Sequence, residues 1–227
     1  MIKKLKKINF YPLIPFLFLL LIQNIVYFIS KLINHNMYHH IISWKIDEFV
    51  PLWTFMIVVY VGCYIWWGIT PLVMGKYLSK KRFYQYVVTV LITHIACILI
   101  YITFPTTIVR PEIPNTNFFN WLTNLIYKSD VPNNLLPSMH STISWLCFRP
   151  FIKTDKLKAP KWLVLTQFII AVLVFMSTVT IKQHYIIDVI AAVILVEIIY
   201  FIVGKTNWYK PFETFFTKVN KRLKIEK

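Results

Sequence analysis

FYQYVVTVLITHIACILIYITFPTTIV, residues 83–109, is a run of 27 residues without a charged side chain, bounded by Arg82 and Arg110. Lipid offers no partner to backbone N–H and C=O groups, so a crossing segment must be helical, and about 20 apolar residues suffice. This run therefore predicts a membrane-spanning helix. Residues 49–75, between Glu48 and Lys76, are a second charge-free run of 27. Residues 131–148 give 18 and residues 162–181 give 20. Phe10 to Ser30 and Tyr185 to Gly204 complete the set, the last with Asp188 near its start and Glu197 inside. The expectation is an all-α polytopic membrane protein, a bundle of six transmembrane helices. Only 15% of the chain is charged, against about 25% in soluble domains, and 57% is apolar, which excludes an ordinary soluble core.

The net charge of +16 suggests nucleic acid until its distribution is read. With both termini cytoplasmic, 20 of the 25 basic residues fall in inner segments. These are Lys3, Lys4, Lys6 and Lys7, then Lys76 to Arg82, Arg149 to Lys161, and the tail from Lys205 to Lys227. Only Lys31, Lys45, Arg110, Lys128 and Lys182 fall outside. Positive charge accumulates on the cytoplasmic side of membrane proteins, so the charge reads as a topology signal with attraction to anionic lipid. No nucleic-acid partner is expected. The basic start before an apolar run also resembles a signal peptide, but no small-residue cleavage site follows, and Pro12, Pro15, Gln23 and Asn24 suit a retained first helix.

Residues 1–227 read as a single membrane domain. Asp47 and Pro51 look like start signals for the second span. The longest loop, Pro105 to about Leu136, is expected to form a lid or wall over a site. His35, His39 and His40 read as surface residues, and Cys63, Cys97 and Cys147 as packing residues within apolar runs. No metal site and no cofactor are expected. From Trp208 to Leu223, aromatic and aliphatic residues recur at helical spacing between lysines, which predicts an amphipathic helix on the cytoplasmic leaflet.

Chemistry concentrates where apolar runs meet water. His184 and Asp188 are four residues apart, so on a helix the carboxylate shares a face with the imidazole. It can fix the ring tautomer and support the charge gained by a nucleophile. Pro137-Ser138-Met139-His140 opens the fourth predicted span. Proline suits a first helical turn, and the unpaired amides of Ser138, Met139 and His140 would bind phosphate with the Ser138 hydroxyl as a further donor. Arg110 offers a planar fork for phosphoryl oxygens. In the expected topology all of these fall on one outer face. His94 lies about 24 Å along its helix from Arg110 and cannot join them. Glu197 suggests no more than an interhelical contact.

At these residues the chain resembles the type 2 phosphatidic acid phosphatase superfamily of six-helix membrane enzymes. Arg110-Pro111, Pro137-Ser138-Met139-His140, and Ser177 with His184 and Asp188 match its motifs in order and spacing, across roughly residues 45–205. Thr103 stands where the family has a lysine, Thr178 where it has an arginine, and Met139 where it has glycine. Lys182 is a candidate stand-in for one missing cation. Phe104-Pro105-Thr106, Arg110-Pro111-Glu112 and Asp130-x-Pro132-x-Asn134 resemble the inositol phosphorylceramide synthase-like branch, which transfers a headgroup. The resemblance implies that His184 attacks phosphorus to form a phosphohistidine, with Asp188 orienting it. His140 would protonate the leaving oxygen and then activate water or an alcohol. Arg110, Ser138, Met139 and Lys182 would hold the phosphoryl oxygens. The implied partner is a lipid phosphate, met at the extracytoplasmic face of a membrane, expected to be the plasma membrane. A headgroup phosphotransferase and a catalytically degenerate transporter or structural protein are the alternatives.

Overall fold

The computed structural model describes residues 10–225. The expectations for Lys3, Lys4, Lys6, Lys7 and Lys227 lie outside the described residues. Those residues form nine α-helices, two 3-10 turns and no strand. The helices are α1 (Leu13–Asn34), α2 (Lys45–Glu48), α3 (Ile57–Tyr77), α4 (Lys80–Thr103) and α5 (Phe118–Ser129). They continue with α6 (Met139–Phe148), α7 (Lys161–Thr180), α8 (Ile186–Gly204) and α9 (Tyr209–Arg222). Five segments are long and apolar enough to cross a membrane: α1, Thr54–Tyr77, α4, α7 and α8.

The stretch given above as the fourth span is shorter than expected. Residues 131–138 are not helical, and α6 begins only at Met139. With the 3-10 turn Arg149–Ile152 that extends it, α6 reaches about 23 Å at about 1.5 and 2.0 Å per residue. That is less than the roughly 30 Å of a hydrocarbon core. Absence of charge did not mean helix here, because Pro132 and Pro137 restrict the residues before them to extended backbone.

α4 is the hub. Thirteen of its residues are buried, among them Phe83, Tyr84, Val87, Cys97 and Tyr101. It packs against α1, α8 and α9, while α6 lies between α7 and α8 and α3 leans on α7 and α6. His94 is buried within α4 and donates from Nδ1 to the Val90 carbonyl at 2.7 Å. Cys63, Cys97 and Cys147 are buried free thiols. Glu197 of α8 receives Arg149 Nε at 2.7 Å and Trp145 Nε1 at 2.7 Å, so the charge inside a span is paired. That pairing is what makes an intramembrane carboxylate tolerable.

Polar contacts gather at the two ends of the bundle. At one end, Asn34 Nδ2 donates to the Tyr101 and Asn133 carbonyls at 3.1 and 2.9 Å. At the other, Ser79 Oγ donates to Asp155 Oδ2 at 2.5 Å, and Asn220 Nδ2 reaches the Tyr11 carbonyl at 3.0 Å. The tail is helical, as α9. Its Phe216 packs against Tyr84 and Phe18, while Trp208, Phe215 and Leu223 stay exposed. α9 thus docks on α1 and α4 with one side and offers an apolar edge with another.

The helix-start expectation at Asp47 and Pro51 needs correcting. Asp47 sits inside the four-residue α2, and α3 begins at Ile57 after the 3-10 turn Thr54–Met56. Asp47 Oδ1 instead accepts from the Ile186 amide at 2.9 Å, so it caps the first turn of α8. A carboxylate there satisfies an otherwise unpaired donor and complements the helix dipole.

Candidate active site

The turn joining α7 to α8 positions the nucleophile candidate. Gln183 N and Lys182 N close back onto the Thr178 and Val179 carbonyls at 3.0 and 3.2 Å. This is the double hydrogen bond that ends many helices, usually with glycine in the left-handed position. Here that position is Lys182, with φ of 54°. His184 N adds a second bond to the Thr178 carbonyl at 3.1 Å, fixing the next residue as well.

From this anchored turn His184 faces Asp188 across one turn of α8. Its Nδ1 stands 3.2 Å from Asp188 Oδ2, which also accepts from the Tyr185 amide at 2.9 Å. Asp188 is fully buried and His184 is 8% exposed. A carboxylate receiving the Nδ1 proton leaves Nε2 unprotonated and able to attack. The α6 start is bound to the same unit, since Ser138 N donates to the Asp188 carbonyl at 3.1 Å.

His140 occupies the second turn-opening position of α6. Its ring stacks on Tyr60 with centroids 4.1 Å apart, and Nε2 lies 3.2 Å from the Tyr64 hydroxyl. Trp67 closes a third side at 5.2 Å. The centroids of His140 and His184 are 6.5 Å apart. Centroids this close let both rings reach one phosphoryl group bound between them. Both histidines, with Met139 and Arg110, line one cavity of about 330 Å³. α5 supplies Ile126 and Ser129 to its wall, so the long loop carries a helix that borders the site.

Arg110 is held firmly. Its Nη1 donates to the Tyr127 and Asp130 carbonyls at 3.0 and 2.7 Å, Nη2 donates to Gln183 Oε1, and the guanidinium lies over the Tyr127 ring at 4.7 Å. Burial pushes its pKa below the usual range, and Asp130 opposes that shift. Its Nε is buried without a partner among the described residues.

Other expected donors are placed differently. Ser138 is the N-cap of α6, its Oγ accepting from Ser141 N at 3.3 Å, so Pro137 precedes the cap instead of opening the first turn. Its amide is already bonded to Asp188, which leaves Met139 and His140 as the first-turn amides without an intrahelical acceptor. Lys182 lies outside the cavity lining, and its Nζ donates to the Val50 and Asp47 carbonyls at 2.6 and 3.2 Å. Burial lowers its pKa, with Asp47 opposing. Thr103 is exposed and bonded to Leu99 O, while Thr178 Oγ1 turns back to Phe175 O at 2.8 Å. No group of three or more His, Cys, Asp or Glu residues able to hold a metal ion occurs among the described residues.

Sequence reasoning missed Gln183, Tyr60, Tyr64 and Trp67. The last three recur at helical spacing on α3, a legible stripe whose target was not. Gln183 immediately precedes His184 in the sequence.

No curated protein and no solved structure matches the chain. A family profile described as the PAP2 superfamily matches residues 34–202, a segment holding Arg110, the α6 start and the His184–Asp188 pair. With that match over well more than half of its length, this integral membrane chain belongs to the PAP2 superfamily, whose members are generally phosphatases and phosphotransferases.

Proposed function

We propose that the chain is a lipid phosphatase that cleaves a lipid phosphomonoester or diphosphate through a phosphohistidine on His184. The supporting observation is the facing pair of imidazoles, 6.5 Å apart across the cavity, with one of them fixed by a buried carboxylate. The Nε2 lone pair of His184 attacks phosphorus as the bond to the leaving oxygen breaks. Protonated His140 gives its proton to that oxygen. His140, now neutral, takes a proton from water as the water oxygen attacks phosphorus and the P–N bond breaks. Asp188 balances the charge that His184 carries in between. Arg110 and the first-turn amides of α6 offset the charge on the non-bridging oxygens, the part of phosphoryl transfer that depends most on the protein. The scheme routes no step through a metal.

The topology that accompanies this reading puts the site at the extracytoplasmic end of the bundle, in the plasma membrane, with a lipid phosphate as partner. One observation favours a second reading as a headgroup phosphotransferase. Part of the cavity wall is neutral amide (Gln23, Asn24, Asn133 and Asn134), which suits an alcohol acceptor as well as water.

The test is to incubate the purified protein with radiolabelled phosphatidate and quench in base, where phosphohistidine survives. Label on the wild type and none on His184→Ala is expected. Label that persists in His184→Ala would sink the scheme. Release of free phosphate against formation of a new phosphodiester then decides between the two acceptors.

A further inference from the structure

We infer that Gln183 is a phosphoryl-binding residue whose carboxamide, paired with Arg110, serves in place of the cation missing at Thr178. This rests on the phosphoryl-transfer reading above and adds a ligand to it. Gln183 Oε1 accepts from Arg110 Nη2, which leaves Nε2 as the donor of the amide. Nε2 is buried and has no partner among the described residues, and the same holds for Arg110 Nε. Gln183 is 3% exposed, yet it and Arg110 both line the cavity that holds His140 and His184. Two unmet donors from adjoining side chains therefore lie just beneath one surface, beside the proposed nucleophile. Buried donors without acceptors are costly and uncommon in folded proteins. An oxyanion entering the cavity would satisfy both, the guanidinium and the amide closing onto it as catalytic hydrogen bonds often do only with substrate present.

The alternatives at the site are already committed. Thr178 bonds to its own helix through Oγ1, and its carbonyl holds the Gln183 and His184 amides. Lys182 is bonded to the Val50 and Asp47 carbonyls. Arg110 is then the one Lys or Arg among the described residues lining the cavity. Gln183 adds a donor without adding charge. Its short side chain is held at both ends, by the Arg110 contact and by the backbone bond to Thr178.

Gln183→Glu separates binding from structure. Glutamate keeps an oxygen for Arg110, so a residue whose job is to hold Arg110 would tolerate it. A residue whose Nε2 meets phosphate would not, because the donor is lost and a negative charge faces the anion. The full chain, purified in detergent, is assayed for phosphatidate-derived label and for thermal stabilisation by orthovanadate. The expected result is an unfolding midpoint for Gln183→Glu at or above that of the wild type, labelling slower by about 100-fold or more, and loss of the vanadate shift. Gln183→Met, which removes the donor without adding charge, is expected to label about 10-fold or more slower, and it decides the matter if the glutamate variant does not fold. Either folded variant labelling within about threefold of wild type, with the vanadate shift intact, overturns the proposal while the function stands. A wild type that neither labels nor responds to vanadate overturns both.

Discussion

Asp188 is the residue whose removal should be most informative about the proposed chemistry. Its Oδ2 receives His184 Nδ1 and the Tyr185 amide. Asp188→Asn keeps the shape but presents either a neutral oxygen or an NH₂ group to the ring. The first stabilises the imidazolium poorly, and the second favours the tautomer that cannot attack through Nε2. Phosphoenzyme formation should fall about 10²–10⁴-fold, read by rapid-quench labelling, while the protein stays folded. Lys182 calls for a different measurement. It is a non-glycine residue in the left-handed region, which costs about 1–2 kcal/mol, offset by its two ammonium bonds to α2 and the chain after it. Lys182→Ala keeps the backbone cost and loses both bonds, whereas Lys182→Gly loses the bonds and relieves the cost. Thermal unfolding should therefore rank wild type above or level with Lys182→Gly, and Lys182→Gly above Lys182→Ala by about 1 kcal/mol. An alanine variant as stable as the glycine variant would count against that account.

At the scale of elements, α6 and α8 are joined at both ends. Near the site the Ser138 amide meets the Asp188 carbonyl, and some turns away Arg149 and Trp145 meet Glu197. The second contact ties the far part of α6 to α8 and so supports the placement of the histidines at the near end. Arg149→Ala and Glu197→Ala should each lower stability. Their double mutant should fall short of the sum by about 0.5–3 kcal/mol, measured as a double-mutant cycle in one detergent. Additive losses would show that the pair is not coupled. The elements themselves were unevenly legible. Long charge-free runs identified α1, α3, α4 and α7, and a long apolar run identified α8 despite Asp188 and Glu197, because lipid demands both length and helicity. The same criterion misread residues 131–138, where backbone restriction by proline outweighs the absence of charge. α5 went unrecognised inside a polar loop. Its signals were present, with Asn117 accepting from the Asn120 amide as an N-cap and Phe118, Leu122 and Leu125 at helical spacing. Arg110, His140, His184 and Asp188 were readable from motif order. Gln183 and the Tyr60–Tyr64–Trp67 face were not, since their roles come from contacts between segments far apart along the chain.

Across the whole molecule, alternating helix direction sorts the loops into two sets, and each set is tied together by its own polar contacts. The segments carrying Arg110, His140 and His184 share one end with Asn34 and Asp47. The segments carrying Ser79, Asp155 and Asn220 share the other. Among the described residues most basic side chains lie on segments of the second set, so under the positive-inside tendency the orientation proposed above turns the candidate site away from the cytoplasm. Glu112, exposed near the site, and Lys158, exposed at the far end, report on it directly. Both replacements start from a quiet background, because all three native cysteines are buried. In right-side-out vesicles a membrane-impermeant maleimide should modify Glu112→Cys at once. Lys158→Cys should react only after the membrane is opened. If Lys158→Cys reacts first, the site faces the cytoplasm. If both react from one side, the number of crossings between residues 112 and 158 is even, and α6 with its preceding extended segment does not traverse the bilayer. The short α6 makes that outcome worth measuring, since about 23 Å of helix must be completed by residues 131–138, and their irregular backbone is stable at membrane depth only where protein surrounds it. Burial of Asn133, Leu135, Pro137 and Ser138 supplies that surrounding, which favours a complete crossing and modification of the two cysteines from opposite sides.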